Sequence, residues 1–329
     1  MDFSYSEVQQ MLQDSVKKFV SKNYDFDTRS KIIESDSGYS EENWKLFAEL
    51  GWLTVPFSEE DGGLGGSAVD LMVMMEEFGK ANLVEPYLPS VVLCGCLISE
   101  LATGEVREQM LGKLVGGDLQ LALAASETGS RFNSSKVATT AKSNGNNIVI
   151  NGRKIAVLNG SNANELLVVA RESGGEVDAD GISVFLVNPD TSGVTVRPFT
   201  NIDGQKSSEI DFTDVTVSAS ARLGEQGNAL MAIEKVIDKA IIAVSAEAVG
   251  VLETLLQKTV EYSKTRKQFG TVIGTFQALQ HRMADMFIEC QLARSIVVMA
   301  AMKLDGSAGQ TEKTKAVSAA KSRVGKAIR

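Results

Sequence analysis

The chain changes its hydrophobic period twice, and this order of textures restricts the fold more than any single motif. Residues 1–117 carry helical spacing. Val8, Met11, Leu12, Val16 and Phe19 form one stripe, and Trp44, Phe47 and Leu50 share the face of a second helix that stops at Gly51. Ser4-Tyr-Ser-Glu7 fits a capping box at the first helix. A helix starting at Ser67 is apolar nearly all round through Val69, Met72, Met75 and Phe78, which predicts burial. Over residues 118–225 the β-branched residues gather in short runs: Ile148-Val-Ile150, Lys154-Ile-Ala-Val-Leu158, Leu166-Leu-Val-Val-Ala170, Ile182-Ser-Val-Phe-Leu-Val187, Val194-Thr-Val196, Ile210-Asp-Phe212 and Val215-Thr-Val217. Asn151-Gly152 predicts a tight hairpin between the first two, because type I′ turns need positive φ. Strands that follow one another without helices between them predict an antiparallel sheet. From residue 226 to 329 the helical period returns. One helix runs to near Lys264. The next carries Phe276, Leu279, Met283, Met286, Cys290, Ala293 and Val297 on one face. The last holds Ala316, Val317, Ala320, Val324 and Ile328. The expected fold class is α+β: an N-terminal helical domain (1–117), a middle antiparallel β domain (118–225) and a C-terminal helical bundle (226–329). The last pattern reaches Arg329 without a stop signal, so the chain is expected to end inside a helix.

Composition removes several classes of function. A net charge of −9 and a pI near 4.9 argue against a nucleic-acid surface. No run of 18 apolar residues is found, so no membrane span is expected. Met1-Asp-Phe-Ser-Tyr-Ser-Glu7 has neither the basic start nor the apolar run of a signal peptide. Cys94, Cys96 and Cys290 are an odd and small number of cysteines for 329 residues, which points to reduced thiols and a cytoplasmic location. Zinc needs about four ligands. His281 is the only histidine and nothing supplies a second cluster to join Cys94-Gly-Cys96, so these thiols read as small buried side chains in an apolar helix with Val91-Val-Leu93.

Gly63-Leu-Gly-Gly-Ser-Ala68 has the letters of a dinucleotide-binding turn, but Pro56-Phe-Ser-Glu-Glu-Asp-Gly62 precedes it where a buried strand is required. A nicotinamide dehydrogenase built on that turn is therefore the weakest reading. His281 sits within a helical pattern and no Gly-x-Ser-x-Gly elbow exists, so serine hydrolase chemistry is not expected. The stretch from Arg266 to Gln277 is different. A planar cation suited to phosphate, the aromatic Phe269 and the amide of Gln277 meet at a Gly-marked break between two helices, a corner able to hold the diphosphate of a dinucleotide.

That stretch resembles the helix-pair signature of the acyl-CoA dehydrogenases, a family of FAD enzymes. The resemblance spans the chain, through Trp44-Lys-Leu-Phe-Ala-Glu-Leu-Gly51, Gly62-Gly-Leu-Gly65, Glu76-Glu-Phe-Gly79, Asn151-Gly-Arg-Lys154 and Thr265-Arg-Lys-Gln-Phe-Gly270. Within the family, Glu85-Pro-Tyr-Leu-Pro-Ser-Val-Val-Leu93 and Ala240-Ile-Ile-Ala-Val-Ser-Ala-Glu-Ala-Val-Gly250 resemble small-subunit sequences of the pimeloyl-CoA dehydrogenase type.

The resemblance implies α,β-dehydrogenation of an acyl-CoA thioester, in fatty acid or steroid catabolism. Electrons would pass to an electron-transfer flavoprotein. The protein would be a homodimer, a homotetramer or half of an α2β2 assembly, with a dicarboxylate or ring-bearing acyl group. By position, Leu123, Ala125, Ser126 and Leu158 match flavin contacts. Arg266, Gln268, Phe269, Ile273, Phe276 and Gln277 match contacts to the diphosphate and adenine of the neighbouring subunit's FAD, and Asp238 matches a contact on the CoA side.

Departures from the pattern accompany these matches. The phosphate-contacting serine is Phe132, the flavin-side aromatic is Ala156, and the hydroxyl residue near N5 is Leu158. Each lost hydrogen bond weakens binding by about 1 kcal/mol. Ala240 stands at one family position for the catalytic glutamate. The other position is expected beyond Arg329, so no base is named. These departures motivate an alternative, a non-catalytic partner subunit of a heteromeric acyl-CoA dehydrogenase.

Overall fold

The computed structural model describes residues 5–329. In chain order the helices are α1 (Glu7–Asn23), α2 (Phe26–Glu34), α3 (Glu41–Glu49), α4 (Ala68–Ala81), α5 (Cys96–Leu101), α6 (Gly104–Val115), α7 (Leu230–Thr265), α8 (Gln277–Asp305) and α9 (Gln310–Ala327). The strands are β1 (Leu121–Ala124), β2 (Thr140–Asn144), β3 (Asn147–Leu158), β4 (Glu165–Arg171), β5 (Ile182–Val187), β6 (Val194–Thr200), β7 (Lys206–Ser218), β8 (Arg222–Leu223), β9 (Lys267–Gln268) and β10 (Thr271–Val272). The chain forms two compact units. One comprises residues 5–28, Ser67–Leu83 and Ile241–Arg329. The other comprises Arg29–Gly66 and Val84–Ala240.

In the first unit, α1 is capped by Ser6 and Gln9, which exchange hydrogen bonds across the first turn. The box therefore starts at Ser6. Ser4, expected to start it, lies outside the described residues. Only Val16 and Phe19 of the expected stripe are buried, while Val8 and Met11 face solvent. Helix α4 is buried almost all round, as its composition predicts. It meets α7 at two glycines. A Cβ on Gly79 would lie 1.9 Å from the Glu247 carbonyl oxygen, and one on Gly250 1.9 Å from that of Glu76. Each glycine thus makes room for the other helix's backbone.

The N-terminus of α4 carries a Ser67–Asp70 capping box and a second cap from the far end of α8. Asp305 accepts hydrogen bonds from the N–H groups of Ala68 (2.7 Å) and Val69 (3.1 Å). A carboxylate there satisfies orphan donors and complements the helix dipole. Asp305→Ala is expected to lower stability by about 1–2 kcal/mol in urea titrations followed by circular dichroism, and Asp305→Asn by less. An alanine variant as stable as the parent would refute this role.

Helix α7 departs from the expectation that no stretch has membrane-span character. It is 36 residues long, and its most apolar window reaches a mean hydropathy of 1.5. Ile242, Ala243, Ala246 and Val249 on it are buried, as in the core helix of a folded domain. On α8, Cys290, Ala293 and Val297 are buried, but Phe276 and Leu279 at the start of the same stripe are exposed. Ala316, Val317, Ala320 and Val324 of α9 are buried and Ile328 is exposed.

The second unit is built on a sheet of order β6-β7-β3-β2-β4-β5-β8, with β1 also paired to β4. Most pairings are antiparallel, but β1–β4 and β2–β4 are parallel, so the sheet is mixed. Asn151-Gly152 is not a turn. Both residues lie inside β3, and the chain reverses at Gly145 (φ 63°) and Asn146, between the paired Asn144 and Asn147. Gly152 is needed there for close approach, since a Cβ would fall 2.5 Å from the Thr139 hydroxyl. The runs at 210–212 and 215–217 form one strand, β7. Its register with β3 slips twice. In the second slip, between Lys154 and Val157, the extra residue is on β3. Ala156 adopts a left-handed φ of 50° at that bulge.

Ahead of the sheet, Trp44 and Phe47 on α3 are buried, but Leu50 is largely exposed because it caps the helix instead of continuing it. Cys94 and Cys96 are buried, in a π-helical stretch Tyr87–Gly95 and at the start of α5. A 3₁₀ turn (Glu59–Asp61), not a strand, precedes Gly63, so the glycine-rich letters mark a loop.

Candidate functional site

The expected flavin contacts gather where β1 leaves the sheet. The Ile155 N–H, freed from β7 by the bulge, donates to the Ser126 carbonyl (2.9 Å). At the other end the Asn159 amide reaches the Leu121 carbonyl (3.4 Å). These two bonds lay residues 121–126 beside 155–159. Leu121, Ala122 and Ala124 are fully buried, whereas Leu123, Ala125 and Leu158 are only half-buried, and Ser126 and Ala156 are exposed. The result is an apolar surface kept low by two alanines, with one hydroxyl at its edge.

A buried ion pair underlies this surface. Lys154, with no exposed surface, donates to Glu127 (2.6 Å) and to the Ala125 carbonyl (3.2 Å). Burial lowers the Lys154 ammonium to about 8, and the adjacent Glu127 carboxylate opposes part of that shift. Burial also pushes the Glu127 carboxyl up, but the Lys154 charge and the N–H groups of Ala138 and Thr139 reverse this and hold it below the usual range. The signal for this pair in the sequence is Lys154, a charged residue within an apolar strand-forming run. The loop that follows displays Arg131 in a left-handed conformation (φ 48°) and a fully exposed Phe132.

The second group of expected contacts forms a corner in the other unit. The β9–β10 hairpin closes through Ile273 N–H to the Arg266 carbonyl (2.8 Å). Phe269, 93% exposed with φ 52°, stands edge-on to Phe276 at a centroid distance of 6.2 Å. Phe276 caps α8 without any side-chain hydrogen bond to the first-turn N–H groups. Gln277 opens that helix, and Arg266, Gln268 and Gln277 are all exposed, with Ile273 half-buried. All six residues thus lie on the hairpin and the turn that lead into α8, where Leu279 and Gln280 N–H bond back to the Phe276 carbonyl and the first-turn N–H groups receive no side-chain cap.

Asp238, the expected contact on the CoA side, is 5% exposed and so is buried in the free chain. Ala240, two residues on, is buried. His281 is exposed on α8. Among the described residues no three His, Cys, Asp or Glu side chains converge on a metal position.

Comparison with known proteins finds matches along nearly the whole chain. The N-terminal, middle and C-terminal domain profiles of acyl-CoA dehydrogenases match residues 6–118, 122–215 and 230–329. A probable acyl-CoA dehydrogenase of Bacillus subtilis, YngJ, is 31% identical over 310 residues, covering 93% of this chain and 81% of that protein. Among solved structures, butyryl-CoA dehydrogenase from Megasphaera elsdenii superposes with a TM-score of 0.86 at 28% identity, covering 100% of this chain and 88% of that one. The FAD complex of PigA superposes with a TM-score of 0.91 at 27% identity, covering 99% and 86%. Three consecutive domain matches, a relative aligned along nearly the full chain and a shared three-part fold lead to one conclusion: this chain belongs to the acyl-CoA dehydrogenase family and is an oxidoreductase.

Proposed function

We propose that the chain is an FAD enzyme that dehydrogenates the α,β-bond of an acyl-CoA thioester and passes the electrons to an electron-transfer flavoprotein. The observation that carries this reading is the corner at the start of α8, where an exposed guanidinium, two aromatic rings and uncapped helix donors stand together. The residues present fit FAD. A diphosphate matches a planar cation beside free N–H groups, and a flat ring system matches the low surface formed by Leu123, Ala125, Ala156 and Leu158.

When bound, FAD supplies a hydride acceptor for the substrate β-carbon. The chain's own residues orient and enclose. Leu123 and Leu158 exclude water from one side, the exposed Ser126 offers a hydroxyl, and Arg266 and Gln277 hold the nucleotide end. Asp238 is proposed on the CoA side. Ala240 has no titratable atom, so the base that takes the α-proton is unassigned.

Tyr262, Phe269, Phe287, Ile288 and Leu292 expose apolar surface on α7, the hairpin and α8. Surface of this kind favours a second copy or a homologous partner chain, which supports a homodimer, a homotetramer or an α2β2 assembly in which Arg266 serves the cofactor of a neighbour. Buried, unpaired cysteines accord with a cytoplasmic enzyme. The small-subunit resemblance favours a dicarboxylate or ring-bearing acyl group.

The second reading, a partner subunit without its own chemistry, is favoured by Phe132 and Leu158 at positions where hydroxyls are expected. Titration with FAD separates the two. The first reading expects yellow protein with stoichiometric flavin that is bleached by an acyl-CoA substrate. Flavin uptake without bleaching, with activity appearing only when a homologous chain is added, would select the second. Protein that takes up no FAD would remove the first.

A further inference from the structure

We propose that the buried Glu127–Lys154 pair is a positioning device that fixes the backbone of Ala125 and Ser126 for contact with the cofactor, an inference that rests on the FAD reading above. The bonds of the pair fall on the backbone of that segment and on the two residues just ahead of β2. Lys154 Nζ joins the Ala125 carbonyl to the Glu127 carboxylate. The same carboxylate accepts from the N–H groups of Ala138 (2.7 Å) and Thr139 (3.0 Å), so it also closes the base of the intervening loop. Ser130 Oγ donates to the Glu127 carbonyl (2.8 Å) and accepts from the Glu127 N–H (3.2 Å). The bulge at Ile155–Ala156 completes the set by sending the Ile155 N–H to the Ser126 carbonyl (2.9 Å).

The far side of the loop is anchored independently. Arg171, 6% exposed, donates to the carbonyls of Ser135 (2.7 Å) and Val137 (3.1 Å). Between these anchors the apex, Arg131 to Asn133, is open to solvent.

An ion pair buried this deeply is an inefficient source of stability, because desolvation offsets most of the attraction and an apolar pair of the same volume often does as well. Directed bonds are what such a pair adds and what an apolar pair lacks. A comparison pair exists in the same unit. Glu172, just after β4, and Arg222 on β8 form a partly buried bidentate pair (2.7 and 2.9 Å), and its bonds do not reach 121–126 or 154–158.

The test uses the full chain in four forms: wild type, Glu127→Gln/Lys154→Met, Glu172→Gln/Arg222→Met, and Glu127→Asp. The double variants remove both charges together and leave no unpaired one. Glu127→Asp keeps the charge and shortens its reach, and it serves if the double variant fails to fold. Measurements are FAD affinity by flavin fluorescence, the visible spectrum of bound flavin, and hydrogen exchange of residues 121–139 without FAD. For Glu127→Gln/Lys154→Met the expected result is an FAD dissociation constant raised at least tenfold, an altered flavin band and faster exchange at 121–139. Glu127→Asp should move the same way by a few-fold, and Glu172→Gln/Arg222→Met should leave all three near wild type. Equal losses of affinity in the two double variants would reduce the pair to general stability and overturn the proposal. Wild-type affinity in Glu127→Gln/Lys154→Met, or in Glu127→Asp alone, would overturn it also. Wild-type protein that takes up no FAD would overturn the FAD reading itself, and this proposal with it.

Discussion

Arg294→Met is expected to destabilise the unit built on α4, α7 and α8 by about 3–5 kcal/mol, the range for removing one partner from a buried ion pair. Arg294 donates to Glu76 (2.6 Å) and Glu253 (2.7 Å). Lys80 lies 2.9 Å from both Glu77 and Glu253. Without Arg294, three carboxylates, two of them fully buried, would share essentially one inward cation. Lys17 is too distant at 4.0 Å and too exposed to replace it. Lysine is not an adequate substitute either, because the site uses the planar fork to serve two acids at once. Adding Glu76→Gln to the Arg294→Met background should recover part of the loss by removing the orphaned charge.

The pH dependence follows from Glu253. Burial pushes its carboxyl up, but hydrogen bonds and charge from Lys80 and Arg294 more than reverse this, so the folded-state value lies below the ordinary 4.5. A depressed carboxylate contributes stability that is present above the unfolded value and lost as pH falls through the folded one. Wild type should therefore lose stability steeply below about pH 4.5, and Arg294→Met should show a flatter acid limb. Urea titrations from pH 3 to 7 decide the matter. A loss under about 1 kcal/mol at pH 7, or parallel acid limbs, would show that the network does not stabilise the unit in this way.

The parts of the molecule legible in the sequence are those governed by local period. The all-round apolarity of α4, the single-face stripe on α9 and the β-branched runs follow from how much of each element is buried, which composition records directly. What was not legible depends on partners far along the chain. Asn151-Gly152 has the letters of a turn, yet Gly152 serves the approach of Thr139, a contact that spacing alone cannot express. Strands β1 and β2 leave little trace in the sequence because Leu121-Ala-Leu-Ala and Thr140-Ala-Lys-Ser-Asn have little β-branched content, and their pairing with β4 and β3 decides their conformation. Val8 and Met11 match the helical stripe of α1 but lie beyond what the unit covers.

The same division holds at the site. Arg266, Phe269 and Gln277 are close in sequence, on one hairpin and the start of the helix it leads into, so a motif could find them. The Glu127–Lys154 pair spans 27 residues and depends on a bulge, which left only a charged residue inside an apolar run as its trace.

Arg266→Ala should strip the protein of flavin while leaving its circular dichroism unchanged. The guanidinium is exposed at the α8 corner, and among the described residues no carboxylate pairs with it, so its removal should cost the fold little. A hydrogen bond to a charged group contributes about 1.5–3 kcal/mol, which corresponds to roughly a ten- to hundredfold rise in the FAD dissociation constant. Part of that contribution is electrostatic, so the gap between wild type and variant should narrow at high salt. Arg282→Ala, an exposed cation on the same helix, controls for net charge and should change affinity less than about twofold.

The proposal that Arg266 serves a neighbour's cofactor adds a sharper consequence. An Ala125→Trp variant should fail to bind FAD because the large ring blocks the low surface. Mixed with Arg266→Ala under conditions that exchange subunits, it should restore binding, since the mixed pair contains one intact Ala125 surface and one intact Arg266 corner. Mixtures that bind no more FAD than their separate components would mean that both contacts come from a single chain, and the exposed apolar surface of α8 would then have to serve some other association.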